Sequence, residues 1–388
     1  MTDNRAGRYE IIKGGDKVFF PKPLPPDPPF VIDDECNDLL AKANRAIAKL
    51  DGITSVLPNP ELFITMFVRK ESLISSQIEG TVASLDGVLE FEADIKPRDE
   101  VKELKDVVNY IKALDYGLSV VKERAITVEL IKEMHALLLA NVRGSEKTPG
   151  EFKRAQNYIV RRDGLHEKIV FTPPPPDAIP DLMKGLVAYI NQEDKLPHLI
   201  RIALIHAQFE TIHPFRDGNG RMGRALITLY LVSKGLIEKP LLYLSFYLKR
   251  FRSEYYDVLM SVRNDGDWEK WAKFFIEGVI QVSEEASSTA KEIIELKTEL
   301  TEAIYQSDIQ SKLSLKLLDT LFLYPKTKIS YLAAKMNVSS ETIRKLIKEF
   351  ETLGIVVVSD DKERYKTYSF ERYLKIIRGG TEIEEGGF

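Results

Sequence analysis

His213-Pro214-Phe215-Arg216-Asp217-Gly218-Asn219-Gly220-Arg221-Met222-Gly223-Arg224 gathers a base, a carboxylate, a glycine-rich turn and two arginines within twelve positions. Together these residue types describe a site for nucleotide phosphates. Gly218 and Gly220 allow the chain to coil tightly about Asn219 and to point successive backbone N–H groups inward, which makes an anion nest. From Arg221 onward Met222, Ala225, Leu226, Leu229 and Val232 recur at helical spacing, so a helix N-terminus is expected to face the same anion. Arg221 and Arg224 then lie one turn apart on one face, each presenting the planar fork that suits phosphate oxygens.

Working outward, Ile200, Ala203, Leu204, Ala207 and Ile212 predict a helix over 199–212, with His213 at its end. A neutral imidazole there can take the proton from a hydroxyl that attacks a phosphate, a role worth about 10²–10⁴-fold in rate. Asp217 suits Mg²⁺, which is bound through one or two carboxylates together with the phosphates of its substrate. A surface turn with stray charges is the bland alternative, and five ordered chemistries in one run argue against it.

Position for position, the string is the HPFx(D/E)GNGRxxR signature, and on it the chain resembles the Fic-domain proteins. The resemblance implies a mainly α fold: a helical core with a β-hairpin flap. It also implies adenylyl transfer from ATP to a Ser, Thr or Tyr hydroxyl of a protein target or of the chain itself. In that role His213 is the general base, Asp217 holds Mg²⁺, and Gly218, Asn219, Gly220, Arg221, Met222, Gly223 and Arg224 surround ATP. Phe215 corresponds to a buried anchor. Gly220 stands where a lysine marks the branch of the family that phosphorylates its target instead.

A second element precedes the signature. Asn59 and Pro60 read as the cap and first position of a helix through Leu62, Phe63, Met66, Leu73, Ile74 and Ile78, closed by Gly80. Its end, Ser75-Ser76-Gln77-Ile78-Glu79-Gly80, resembles the family's inhibitory (S/T)xxxE(G/N) motif. That likeness implies that Glu79 reaches Arg224 and blocks the productive pose of the γ-phosphate. Such a pair acts as a switch only if partly buried, where removing one partner costs about 3–5 kcal/mol against about 0–1 for an exposed pair. Two alternatives stay open: a solvated glutamate at a helix end, and a glutamate that orients water to remove AMP from modified targets.

Between these elements, Asn157 to Val160 and Lys168 to Thr172 flank Asp163-Gly164 as an alternating pair around a turn, which predicts a hairpin. It resembles the family's flap, so a protein substrate would lie along residues 157–172 by strand addition; a hairpin that merely closes the core is the alternative. Pro173 to Pro176 should end the strand. Beyond the signature, similarity to members of that family favours Tyr256 of the Tyr255-Tyr256 pair as a stacking partner for adenine, although a tyrosine in a helix is core packing as often. Trp268 and Trp271 read as core.

Composition frames these readings. The chain has 388 residues, 44% hydrophobic and 29% charged, with a single cysteine, Cys36, which excludes an internal disulfide framework. With no apolar run long enough to span a bilayer and no signal-peptide pattern at the N-terminus, a cytoplasmic protein without membrane contact is expected. His206 and His213, seven apart without further grouping, do not suggest zinc. The expected order is an extended proline-rich arm (1–30), an N-terminal helical region (31–110), the catalytic core (111–282), a linker helix (283–310) whose polar stretch Ser283–Thr301 reads as solvated, a winged helix (311–378) and a tail (379–388).

The last module follows from helices expected at 314–323, 329–336 and 341–353, the turn Asn337 to Ser340, and a hairpin of Ile355 to Val358 with Arg364 to Tyr368 around Asp360-Asp361. Residues 311–378 carry 14 Lys and Arg against 8 Asp and Glu, a net +6 that leaves −10 on the rest of the chain. A basic module on an acidic body fits nucleic acid, with Arg344, Lys345 and Lys348 as the contacts, while Asp360, Asp361 and Glu363 would repel phosphates. Docking of a protein or of a second copy as a homodimer is the competing use of the same module. For the whole chain the rival functions are removal of AMP, transfer of another nucleotide, and an ATP-sensing DNA-binding regulator.

Overall fold

A computed structural model of the protein describes residues 4–12, 14–55, 60–142, 146–163, 166–359 and 366–382. The strands β1 (Gly7–Ile11) and β2 (Lys17–Pro21) pair as an antiparallel hairpin. Then come α1 (Asp34–Ser55), α2 (Pro60–Ile78), α3 (Leu85–Glu92), α4 (Val101–Val121) and α5 (Val128–Leu138). A second antiparallel hairpin, β3 (Ile159–Asp163) with β4 (His166–Phe171), precedes α6 (Ile179–Asn191), α7 (His198–Ile212) and α8 (Asn219–Ser233). The short α9 (Ser245–Arg250) and α10 (Arg252–Asp265) lead into the long α11 (Trp268–Tyr305). The chain closes with α12 (Lys312–Leu323), β5 (Lys326–Lys328), α13 (Ile329–Met336), α14 (Ser340–Thr352), β6 (Val357–Val358), β7 (Thr367–Ser369) and α15 (Glu371–Arg378). The fold is mainly helical, as the dominant 3.6-residue periodicity predicts.

The chain forms two compact units, one of residues 1–48 with 109–283 and one of residues 49–108 with 284–388. In the first, α7 is enclosed around its whole circumference: every residue from Leu199 to Ile212 is buried, the polar Arg201, His206, Gln208, Glu210 and Thr211 included. A helix of that kind belongs at the centre of a bundle. It packs on α6, α8, α10 and β2, and α8 packs in turn on α5. On the face of α8 toward α7 sits Gly223, where a Cβ would lie 2.4 Å from Glu210 Oε1 and 3.2 Å from Phe209. Trp268 and Trp271 are both buried, and Trp271 donates its indole N–H to the Ala203 carbonyl at 2.7 Å.

In the second unit α2 is buried on nearly all sides from Met66 to Ile78 and packs on α3 and α12. Three helices, α12 to α14, stand beside an antiparallel sheet of order β5-β7-β6, with Thr327 opposite Tyr368 and Val357 opposite Ser369. Asn337, left-handed at φ 55°, ends α13, and the Ser339 hydroxyl caps α14 by accepting from Thr342 N–H. The strand β5 is absent from the sequence reading, because three residues are too few to show a period. The solvated helix expected over Ser283–Thr301 needs correction. The stretch is helical and lies within α11, but Ser283, Ser287, Ala290, Ile293 and Leu300 form a buried stripe. Asn59, Gly164, Asp360, Asp361, Glu363 and Arg364 lie outside the described residues.

Candidate active site

The signature occupies the junction between α7 and α8. His213 ends α7 in the left-handed conformation, φ 49° and ψ 61°, and its N–H closes the last turn on the Phe209 carbonyl at 2.9 Å. A non-glycine residue seldom adopts this conformation, and histidine is among the few that tolerate it. Burial pushes the His213 imidazole down to about 3, with Lys153 and Arg263 adding to the shift. The Glu210 carbonyl pulls the other way, yet Nδ1 is buried and makes no hydrogen bond among the described residues. His213 is therefore a neutral base at ordinary pH.

Two buried cations frame it. Lys153, 3% exposed, is tied to the signature loop directly and through Asn157: its N–H donates to the Pro214 carbonyl at 2.9 Å, and its ammonium donates to Asn157 Oδ1 at 2.7 Å. Asn157 passes the link on by donating to the Phe215 carbonyl at 3.0 Å, and burial lowers Lys153 to about 7. Arg263 from α10 donates to the Glu210 carbonyl at 3.1 Å and to Thr211 Oγ1 at 3.2 Å, and lies 4.0 Å over the Phe171 ring. One guanidinium thus caps α7 beside His213 and also holds the root of the β3–β4 hairpin.

The turn is fixed by Asn219. Its Oδ1 accepts from Phe215 N–H and its Nδ2 donates to the Phe215 carbonyl, both at 2.8 Å, so this side chain ties the loop to the start of α8. Gly218 is left-handed, φ 76°, and opens α8, whose first N–H groups lack helical partners. Gly220 corrects the sequence reading: it lies inside α8 with ordinary helical backbone, so Gly218 alone supplies the left-handed turn. Arg221 and Arg224 are 6% and 2% exposed on that helix, and Met222 and Gly223 are buried against its neighbours.

Asp217 is half-buried. Burial raises its carboxyl, but the Lys147 ammonium 2.9 Å from Oδ2, Arg221 at 3.8 Å and the Gly218 N–H on Oδ1 at 2.7 Å outweigh that and hold it below the usual carboxylate range. An ionised carboxylate that already meets a cation fits a divalent ion. No cluster of three or more His, Cys, Asp or Glu side chains that could hold a metal exists among the described residues, so Mg²⁺ here would depend on substrate phosphates.

The remaining sites fall as follows. Ser75 is buried on α2, and Glu79 follows Ile78 with its N–H on the Ser76 carbonyl, ahead of the left-handed Gly80. Both belong to the second unit. The hairpin carries exposed apolar side chains at Tyr158, Val160, Ile169 and Val170. Of the tyrosine pair, Tyr255 goes to the core, donating to His206 Nε2 at 2.9 Å, while Tyr256 stays 38% exposed. Arg344, Lys345 and Lys348 are all exposed on α14, with Arg344 paired to Glu341 at 2.6 Å. None of the described helices is long and apolar enough to cross a membrane. Lys147, Lys153 and Arg263 carry no signal in the sequence, since they reach the site from outside the signature.

Residues 37–119 match the Fic/DOC family N-terminal region, and residues 125–231 match the Fic/DOC family itself. Among curated proteins, a probable protein adenylyltransferase of Aquifex aeolicus is 30% identical over 183 residues, 46% of this chain and 52% of that protein. A protein adenylyltransferase Fic of Culex quinquefasciatus is 33% identical over 255 residues, 63% of this chain and 46% of its own. The chain thus spans about half the length of the curated relatives it matches. A crystal structure of a Fic family protein from Desulfovibrio desulfuricans superposes with a TM-score of 0.59 at 20% identity, covering 88% of this chain and 97% of that one. Fic-1 from C. elegans gives 0.51 at 22%, covering 67% and 74%. At such identities these structures speak to the fold alone. Matches to two successive regions of one family, with the signature at the α7–α8 junction where the second match ends, place this chain in the Fic/DOC family.

Proposed function

We propose that this chain is a protein adenylyltransferase that moves AMP from ATP to a hydroxyl of a protein target, and that Glu79 restrains it. The observation that carries the reading is His213, left-handed at the end of α7, one short loop before a helix N-terminus opened by Gly218. The relatives named protein adenylyltransferases support it. In this reading the N–H groups at the start of α8, with Arg221 and Arg224, hold the polyphosphate. A Ser, Thr or Tyr hydroxyl of a target strand along the β3–β4 hairpin attacks the α-phosphorus in line. His213 takes the hydroxyl proton as the new O–P bond forms, the bond to the bridging oxygen breaks, and pyrophosphate leaves. Asp217 would hold Mg²⁺, which supplies charge neutralisation on the phosphates. Tyr256, open on α10, is the proposed platform for adenine, and a lone buried Cys36 fits a reducing, cytoplasmic setting.

The inhibitory part rests on the Ser75–Gly80 motif and on the burial of Arg224, where a carboxylate partner would count for more than at a surface. Incorporation of label from α-labelled ATP into the purified protein and into a cell lysate tests both parts. The expected result is strong labelling by Glu79→Gly, weak labelling by wild type, and none by Glu79→Gly with His213→Ala. Equal labelling of the first two removes the restraint. No label in any lane sinks adenylyl transfer and turns the reading toward removal of AMP or transfer of another nucleotide.

A further inference from the structure

His135 lies on α5, far from the signature in sequence, and is fully buried. Its ring is held on both edges and one face. Gly150 N–H donates to Nδ1 at 2.9 Å, and because a backbone N–H can only donate, Nδ1 carries the lone pair. The proton is then on Nε2, which donates to the Asp217 carbonyl at 3.0 Å. The face of the ring stacks on Phe215, with centroids 3.7 Å apart and planes 7° from parallel. A Cβ on Gly218 would lie 3.5 Å from Cδ2 and Nε2 of the same ring.

One side chain therefore fixes the peptide between Asp217 and Gly218 and supports the aromatic anchor before it. We propose that His135 is a positioning residue for the nucleotide site: it presets the Asp217 carboxylate and the left-handed Gly218 turn for a nucleotide–divalent-cation complex. This rests on the adenylyltransferase reading of Asp217 and deepens it. The chemistry asks for histidine. The position needs a flat face for Phe215, an acceptor on one edge and a donor on the opposite edge. Glutamine supplies the last two without the face. Phenylalanine supplies the face and leaves a buried N–H and a buried C=O without partners, so the 217–218 peptide is free to turn. Partners that orient a metal ligand typically change metal affinity by about 10–100-fold when removed.

The test is calorimetric, so it does not depend on turnover. In the full-length chain carrying Glu79→Gly and His213→Ala, Mg²⁺–ATP and metal-free ATP are each titrated into the parent, His135→Gln, His135→Phe and Asp217→Ala. The expected result is a loss of about tenfold in Mg²⁺–ATP affinity for His135→Phe, with metal-free ATP changed much less and His135→Gln recovering most of the loss. Adding His135→Phe to Asp217→Ala should cost nothing further. Equal Mg²⁺–ATP affinity in all the His135 variants overturns the proposal, as does an equal loss with and without metal, which would mark a packing role. If the parent binds no nucleotide, the adenylyltransferase reading fails and this one falls with it. Should His135→Phe not fold, His135→Asn replaces it, because its amide is too short to reach both Gly150 and Asp217.

Discussion

At the scale of single residues, the site is built from histidines that the fold keeps neutral. Burial lowers His213 to about 3, and His206, fully buried between the Gly223 carbonyl and the Tyr255 hydroxyl, also to about 3. Their folded values lie below the unfolded value of about 6.5. Between those limits the unfolded chain takes up protons that the folded chain refuses, so the contribution of these histidines to stability is constant above about pH 6.5 and falls as the pH drops toward 3. With His135, which burial lowers to about 4, three such groups set a slope of up to about 4 kcal/mol per pH unit. Urea denaturation at pH 7.5, 6 and 5 should show it, and His206→Gln, which can still donate to Gly223 and accept from Tyr255, should reduce the slope by about a third. Equal stability at pH 7.5 and 5 would contradict the burial of these rings. The placement of His213 and Asp217 at one junction was legible in the sequence because a glycine-rich turn between two helices fixes it locally. His135, Lys153 and Arg263 were not, because their contacts arise only when α5, the loop after it and α10 are brought to the α7–α8 junction.

At the scale of elements, the junction depends on how closely α7 and α8 approach. Gly223 allows it: a methyl group there would overlap the Glu210 carboxylate at 2.4 Å and touch Phe209 at 3.2 Å. Gly223→Ala should therefore destabilise the protein by about 1–3 kcal/mol as an overpacked core does. Because α8 would be pushed from α7 at the turn that carries His213, transfer to protein should fall further than stability does. Thermal melts together with label incorporation in the Glu79→Gly background check this, and a variant that melts and labels like its parent would refute it. Helix periods exposed α7, α8, α13 and α14 in the sequence, since their apolar positions repeat over several turns. The same logic failed for 283–301, where small buried residues such as Ser283, Ser287 and Ala290 make a packing stripe out of composition that looks polar. It also failed at Gly220, where the spacing of two glycines suggested two unusual backbone positions and the chain uses one.

At the scale of the whole molecule, the two compact units do not follow chain order. The helix that ends just before Glu79 folds with the last hundred or so residues: α2 and α3 belong to the unit that also contains α12 to α15. The links are specific. Arg69 donates to the Leu323 carbonyl at 3.0 Å and pairs with Glu92 at 2.7 Å. Lys70, 2% exposed and lowered to about 8 by burial, gives its ammonium to the Gly379 carbonyl at 2.9 Å, and Gln77 reaches the Thr381 carbonyl at 3.2 Å. Lys326 bridges Asp86 at 3.1 Å and Glu90 at 2.8 Å, and Arg378 also holds Asp86, at 2.8 Å. Removing residues 306–388 would leave the buried Lys70 and Arg69 without those carbonyls, and the partly buried Asp86 and Glu90 without their cations. Breaking a partly buried charge network by taking one side away costs less than the ~3–5 kcal/mol of a fully buried pair, but several such contacts are lost together. The truncated chain should therefore lose order first within residues 49–108, so that limited proteolysis cuts there while residues 109–283 resist. If the inhibitory reading of Glu79 holds, the same truncation should raise self-labelling toward the level of Glu79→Gly, because the helix that presents Glu79 has lost its support. A truncated chain in which 49–108 resists protease as well as in the full chain would show that the C-terminal module is dispensable to α2.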